Sequence, residues 1–127
     1  LNMNAPVNTI MPAAYGDKRK LSSEVHRHYK AALPRGKRIA AYAFALELSN
    51  ANVWWQNLWE RLHTLSPNKF LFFWGMKDKF IPPFELENWK SKLPGIKCIL
   101  FEDAGHFVQE ERPDEMSKAI EEFIKAG

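Results

Sequence analysis

The sequence has little cysteine and no long hydrophobic run. Its single cysteine, Cys98, cannot form a disulfide within the chain, which is typical of a protein from a reducing compartment. The longest apolar run, from Ile39 to Leu46, is too short to span a membrane, and no basic segment followed by an apolar one marks a signal peptide near the start. We therefore expect a cytoplasmic protein that has no membrane as a partner.

An excess of charge of one sign is also lacking. The chain carries 18 Lys and Arg against 15 Asp and Glu, a net charge of +3, and the two signs are mixed along its length. A protein that binds nucleic acid usually concentrates its basic residues in a patch or stripe. The sequence therefore predicts no nucleic-acid partner.

Glycine is too sparse to form the common glycine-rich motifs. The six glycines are Gly16, Gly36, Gly75, Gly95, Gly105 and Gly127. No two of them have the spacing of a Gly-x-Ser-x-Gly or Gly-x-Asp-x-Gly elbow, nor do they form the Gly-x-Gly-x-x-Gly dinucleotide fingerprint. The chain therefore contains neither a nucleophile on such an elbow nor a dinucleotide-binding loop.

The chain has the size and the composition of one globular domain. It has 127 residues, of which 46% are hydrophobic and 26% are charged, and this balance excludes a mostly disordered protein. Aromatic residues reach 13% and include five tryptophans. Such a content predicts either a thick core or an apolar cavity.

The first half of the chain has helical periodicity. After an irregular lead-in over Leu1–Lys20, apolar spacing predicts a helix over Leu21–Leu33, with Ser22 as its N-cap. A second helix over Lys37–Leu48 is apolar on nearly every side, so we expect it to be covered on every side. Asn50 is the candidate cap of a third helix.

The second half alternates between short apolar runs and helices. Phe70–Trp74 and Ile96–Phe101 have the continuous apolar character of strands in a parallel sheet. One helix is predicted after the first strand, and Pro113 suits the first position of another. The last helix should bury a stripe formed by Met116, Ile120, Phe123 and Ile124.

Two parallel strands are too few to form a covered sheet by themselves. Parallel sheets lie inside larger folds with helices on both faces. We therefore interpret residues 67–127 as a βαβα edge of a larger α/β sheet whose other strands lie outside this chain. The open edge at Phe70–Trp74 is expected to pair with another chain or with a second copy.

Two loops that follow the predicted strands carry candidate catalytic residues. Asp78 ends the segment after the first strand, and His106 ends the segment after the second. The carboxyl ends of parallel strands lie at one edge of a sheet, where a carboxylate can orient an imidazole as a base. Two alternatives remain open. Glu102 or Asp103 could be the acid instead, or Asp78 could be a helix cap and His106 a turn residue.

Two other groups of polar residues have simpler interpretations. His26 and His28 lie two apart on a predicted helix and face different directions, so they do not form a metal site. Glu110 and Glu111 are interpreted as capping or solvated charges.

The segments around the two candidate residues resemble a known family. Trp74-Gly-Met-Lys-Asp78, followed by Asp103-Ala-Gly-His-Phe-Val-Gln-Glu110, resembles the C-terminal part of α/β-hydrolases, and within them the haloalkane dehalogenases. The resemblance is good from residue 70 to residue 125 and weaker over residues 21–65. It implies a partial helical cap and the return to the core over residues 1–66, then the last two parallel strands of the hydrolase core and their helices over residues 67–127.

The resemblance also implies roles for particular residues. Asp78 matches the acid of the catalytic triad and His106 matches its base, whereas the nucleophile would precede them on an elbow that this chain lacks. Phe107, Phe44 and Leu48 would line a pocket for a small hydrophobic substrate. Such an enzyme hydrolyses a carbon–halogen bond through a covalent ester and needs neither a metal nor an organic cofactor.

Other members of the family are alternatives to a dehalogenase. An epoxide hydrolase, a β-lactone-cleaving relative or an esterase would use the same acid and base with a different nucleophile or substrate. A different class of function is a truncated, non-catalytic hydrolase that acts as an interaction or oligomerisation module. Its partner would be the missing N-terminal half of the hydrolase or a second copy bound through the open sheet edge.

Overall fold

The computed structural model describes residues 6–32 and 38–126. After a π-helical turn at Pro6–Ile10, its main elements are, in order, α1 (Met11–Ala14), α2 (Ser23–Ala32), α3 (Arg38–Asn50), α4 (Asn52–Glu60), β1 (Leu71–Gly75), α5 (Phe84–Lys92), β2 (Lys97–Phe101), α6 (Val108–Glu111) and α7 (Pro113–Ala126). Short 3-10 turns lie at Lys18–Lys20, Leu62–Thr64 and Pro67–Lys69. The class is α/β, as predicted.

The sheet of the described residues consists of β1 and β2, which run parallel. Their register pairs Leu71 with Lys97 at one end and Gly75 with Phe101 at the other. The connection passes through α5, so the predicted strand–helix–strand order is confirmed, with strand bounds within one residue of those expected. Both strands therefore end at the same edge of the sheet.

The helices of the first half lie close to their predicted positions. Ser22 caps α2, since its Oγ accepts a hydrogen bond from Val25 N at 3.1 Å. The assignment of Asn50 as a cap was wrong, because Asn50 is the last residue of α3 and Ala51 precedes α4 without a side-chain cap bond. The predicted ends at Leu33 and Lys37 lie outside the described residues.

The lead-in is more ordered than expected. Helical turns run from Pro6 to Ala14, and Val7, Met11 and Tyr15 form a buried cluster. Residues of α2 pack on this cluster together with Phe107 from the second half of the chain. The contact of Tyr15 with Phe107 crosses the predicted boundary at residue 66, and the division into two segments there stays a prediction.

Two apolar helix faces are exposed, contrary to expectation. Ile39 of α3 is 81% exposed, and Tyr42 and Phe44 are also exposed. On α7, Ile124 is 70% exposed and Ile120 is exposed too, whereas Met116 and Phe123 are half-buried. An apolar pattern shows which face of a helix is stabilised by burial, but it does not show that the same chain supplies the covering surface.

No helix in the described ranges is long and apolar enough to cross a membrane.

Candidate active site

The loops after β1 and β2 are joined by backbone hydrogen bonds. Met76 N donates to Phe101 O at 2.9 Å, and Lys77 N donates to Ala104 O at 2.9 Å. These bonds continue the pairing of the strands beyond the sheet. They fix the segment that leads to Asp78 beside the segment that leads to His106.

Asp78 and His106 form a hydrogen-bonded pair at this edge. Asp78 Oδ2 lies 2.9 Å from His106 Nδ1. The other carboxylate oxygen of Asp78 accepts backbone N–H groups from Phe80 at 2.8 Å and from Ile81 at 3.0 Å. The Asp78 side chain is only 9% exposed, against 34% for His106. The carboxylate is thus held by the backbone and presents one oxygen to the ring.

His106 is held by its backbone and by aromatic neighbours. Its N–H donates to Ala14 O at 2.8 Å, and its ring lies 5.5 Å from the Phe80 ring and 5.4 Å from the Phe107 ring. With Nδ1–H donated to Asp78, Nε2 carries the lone pair, and among the described residues it has no hydrogen-bond partner. This arrangement suits a base that takes a proton from a bound water molecule.

Three glycines allow the backbone segments around the pair to approach one another. A Cβ added at Gly75 would lie 2.1 Å from Gly105 O, and one added at Gly105 would lie 2.2 Å from Ala14 O. A Cβ at Gly16 would lie 2.3 Å from Asp103 O. Only glycine fits at these contacts, so the strand ends and residues 14–16 form one close-packed backbone cluster.

The carboxylate of Glu111 bonds backbone N–H groups of this cluster, a role that the sequence analysis missed. Its Oε1 accepts N–H groups from Gly105 at 2.7 Å and from Gly16 at 2.9 Å, and its Oε2 accepts that of Asp17 at 3.0 Å. The residue is 5% exposed. The interpretation of Glu111 as a capping or solvated charge was wrong, because the side chain is buried and accepts three backbone N–H groups. Two of these donors, Gly16 and Asp17, lie 95 and 94 residues earlier and leave no local signal.

Glu110 interacts with two tyrosines, Tyr29 and Tyr15. It accepts a hydrogen bond from Tyr29 Oη at 2.7 Å, which raises the pKa of Tyr29. Burial, and then the charge of Glu110, raises the pKa of Tyr15 well above its usual value. The Tyr15 hydroxyl is buried and has no hydrogen-bond partner among the described residues. The rings of Tyr15 and Tyr29 lie 5.5 and 6.3 Å from the Phe107 ring, which itself lies 5.4 Å from the His106 ring.

The alternative acids next to His106 are engaged elsewhere or exposed. Asp103 forms an ion pair with Arg112 and lies 3.8 Å from Lys20 Nζ. The Arg112 guanidinium holds the pKa of the Asp103 carboxyl below its usual value. Glu102 is exposed. Of the three carboxylates considered, it is Asp78 that lies within hydrogen-bond distance of the imidazole.

The expected pocket residues lie in different surroundings. Phe107 is half-buried, with its ring centroid 5.5 Å from that of Tyr15. Phe44 and Leu48 on α3 are exposed, and neither lines the clefts beside His106. Their roles in substrate binding stay predictions.

Two apolar clefts of about 430 and 160 Å³ adjoin His106. Both are lined by Phe73, Trp74, Ile81, His106 and Val108. The Trp74 Nε1–H is buried and has no hydrogen-bond partner among the described residues. Asp78 also lines the smaller cleft, but most of the side chains around both clefts are apolar, so the clefts suit a small, mainly apolar molecule.

The described residues contain no group of three or more His, Cys, Asp or Glu side chains placed to hold a metal ion. His26 Nε2 lies 2.8 Å from Val7 O, so it is engaged with the backbone of the lead-in segment.

Comparisons with known proteins identify relatives of the chain. The sequence model of a family described as alpha/beta hydrolase fold matches residues 3–113. Haloalkane dehalogenase 2 of Mycobacterium bovis and of Mycobacterium tuberculosis is 31% identical to the chain over 126 residues. The match covers 94% of this chain and 42% of each relative. The chain thus spans about two fifths of the length of the curated relatives it matches.

Proposed function

Because this chain belongs to the α/β hydrolase fold family, we propose that Asp78 and His106 are the acid and base of a hydrolytic site. The observation that carries the proposal is the 2.9 Å contact between Asp78 Oδ2 and His106 Nδ1, which leaves Nε2 available. The position of both residues at the carboxyl ends of adjacent parallel strands supports it. So does the alignment with the C-terminal part of hydrolases.

The proposed reaction is the hydrolysis of a carbon–halogen bond in a small hydrophobic molecule. A carboxylate nucleophile displaces halide from an alkyl carbon and forms an ester. His106 Nε2 then takes a proton from water, and the resulting hydroxide attacks the ester carbonyl carbon to release an alcohol and regenerate the carboxylate. Asp78 stabilises the imidazolium that forms. The 31% identity to dehalogenases over nearly the whole chain, and the apolar clefts beside His106, support this choice.

The nucleophile of this reaction comes from outside the 127 residues. The chain contains no glycine-flanked elbow to carry it. Activity of this site therefore requires a polypeptide segment that this chain does not include. A second, heavier polypeptide that copurifies with the chain would be the expected source, and intact masses under native and denaturing conditions would identify it.

The proposal is tested with the protein in the state that carries that segment. We expect halide release from a short haloalkane, and a loss of about 10³-fold or more in the hydrolytic step on His106→Ala. The covalent ester should then accumulate and appear as an added mass on the nucleophile-bearing chain. The matched control is His63→Ala, since His63 is exposed and bonds only the backbone of its own helical turn in the described structure. Equal activity of both variants would overturn the proposal.

The nature of the leaving group separates the dehalogenase from its relatives. An epoxide hydrolase, a β-lactone-cleaving enzyme and an esterase would use the same Asp78–His106 pair. Parallel assays with a haloalkane, an epoxide, a β-lactone and an activated ester therefore decide among them. Turnover that depends on His106 with only a non-halogenated substrate would retain the hydrolytic site and replace the dehalogenase proposal.

A non-catalytic interaction module is a second candidate, favoured by the exposed apolar surfaces. Ile39 and Ile124 are among the most exposed large hydrophobic side chains. In a module, these surfaces and the free edge of the sheet would be covered by a second copy or by the missing half of a hydrolase. The expected result is a native mass that is a multiple of 14.8 kDa for a second copy, or 14.8 kDa plus the mass of the copurifying half, with no hydrolytic activity in either case. A monodisperse monomer would contradict it.

A further inference from the structure

We propose that Glu111 is a positioning residue for His106, an inference that deepens the proposed function and rests on it. Glu111 touches neither the imidazole nor the clefts beside it in the described structure. It acts instead through Gly105, the residue that precedes His106. The Gly105 N–H donates to Glu111 Oε1 at 2.7 Å. This is the shortest of the three hydrogen bonds that the Glu111 carboxylate accepts from backbone N–H groups.

The three donors come from two segments that are far apart in the sequence. Gly105 belongs to the loop that carries His106, whereas Gly16 and Asp17 follow α1. One carboxylate therefore joins the catalytic loop to the start of the chain. The same two segments are joined a second time, by the hydrogen bond from His106 N to Ala14 O at 2.8 Å. The loop is thus fixed at two consecutive residues, Gly105 and His106.

A carboxylate is the side chain best suited to this position. It has two acceptor oxygens and no donor, and it can receive all three N–H groups, with the charge strengthening each bond. A glutamine would place an NH₂ group where one oxygen now accepts an N–H, so two donors would face each other. Glu111 is 5% exposed, so water cannot easily replace a lost bond.

The position of Gly105 decides where the imidazole lies. A Cβ there would be 2.2 Å from Ala14 O, which shows how little space separates the loop from residues 14–16. If the hydrogen bonds of Glu111 are weakened, the loop that carries His106 can move away from residues 14–16. The imidazole ring then moves away from Asp78. The 2.9 Å contact between the His106 and Asp78 side chains depends on this placement.

The test compares Glu111→Gln with the wild type by NMR on the full ¹⁵N-labelled chain together with any copurifying partner. The first readout is the Nδ1–H signal of His106, assigned by its loss in His106→Gln. The second is the hydrogen-exchange rate of the Gly105 amide. The matched control is Glu121→Gln on α7, whose carboxylate is exposed and pairs only with Lys125 among the described residues. If Glu111→Gln does not fold, Glu111→Asp, which keeps the charge with a shorter reach, is measured in its place.

We expect the Gly105 amide to exchange about tenfold faster or more in Glu111→Gln. The His106 Nδ1–H signal should broaden or shift in the same variant, and both readouts should stay at wild-type values in Glu121→Gln. A lower melting temperature with an unchanged His106 signal would show a merely structural role and overturn the inference. Failure of the proposed function is a separate result, in which wild-type His106 donates no Nδ1–H to Asp78 or His106→Ala leaves hydrolysis unchanged.

Discussion

Replacing Gly75 by alanine should lower the stability of the fold because the added Cβ collides with neighbouring backbone atoms. We expect this steric effect to exceed the cost of losing the conformational freedom of glycine. The added Cβ would lie 2.1 Å from Gly105 O and 2.6 Å from Ala104 O. Real Cβ atoms essentially never approach other atoms within 3.0 Å, so the two loops must separate by about 1 Å, the difference between 3.0 and 2.1 Å. Both obstacles are backbone atoms, which cannot swing aside as a flexible side chain would.

The size of the effect follows from two contributions. Overpacking of this kind costs about 1–3 kcal/mol. Separation of the loops also weakens the hydrogen bond from Lys77 N to Ala104 O, with a net value of about 1 kcal/mol. We therefore expect Gly75→Ala to lower the free energy of unfolding by about 3 kcal/mol. For a domain of this size, that corresponds to a drop in Tm on the order of 10 °C.

Thermal unfolding followed by circular dichroism measures this effect, with Gly95→Ala as the control. Gly95 has φ +86°, and a Cβ there would meet nothing within 4 Å. Its substitution costs only the left-handed backbone conformation, about 1–2 kcal/mol. Gly75→Ala should also abolish the His106 Nδ1–H signal, whereas Gly95→Ala should keep it. If Gly75→Ala melts no lower than Gly95→Ala, the close approach of the two loops is refuted.

Two further predictions concern titratable groups. Burial raises the pKa of Cys98 above its usual 9.0, so its thiol should react with a disulfide reagent at mildly alkaline pH more slowly than a free thiol does, and urea should remove the difference. Reaction of the native protein at the free-thiol rate would contradict this. Arg112 lowers the pKa of Asp103, so the stability that Asp103 contributes is present above its usual 3.8 and is lost as pH falls through the lowered value. Asp103→Asn should consequently lose less Tm than the wild type on acidification below pH 3.8, and equal losses would argue against the ion pair.

The arrangement of the strand ends was accessible from the sequence. Apolar runs bounded by glycine predicted β1 and β2, and the helix predicted between them indicated a parallel pair, which the structure shows. Parallel strands place their following loops together, and the structure brings Asp78 within hydrogen-bond distance of His106. Each of these steps depends on neighbours in the sequence or on a topological rule.

The features that the sequence did not predict depend on distant partners. The sequence does not distinguish Glu111 from the adjacent Glu110, because its partners Gly16 and Asp17 lie 95 and 94 residues earlier. The helical turns of the lead-in segment were also missed, since its sequence shows no clean period. The exposure of Ile124 was missed because periodicity identifies an apolar face without its covering surface.

The carboxylate of Glu111 also bears on the order in which the chain folds. Its bond to Gly16 closes a loop of 95 residues, whereas β1 and β2 are joined through the single helix α5. Long loops close at a greater entropic cost, which has to be met before their contacts contribute any stability. We expect the strand–helix–strand unit to form first and the two chain segments to meet around Glu111 late. His106 would then acquire its final alignment only in the last steps of folding, and slow recovery of the site after refolding would be a property of chain topology.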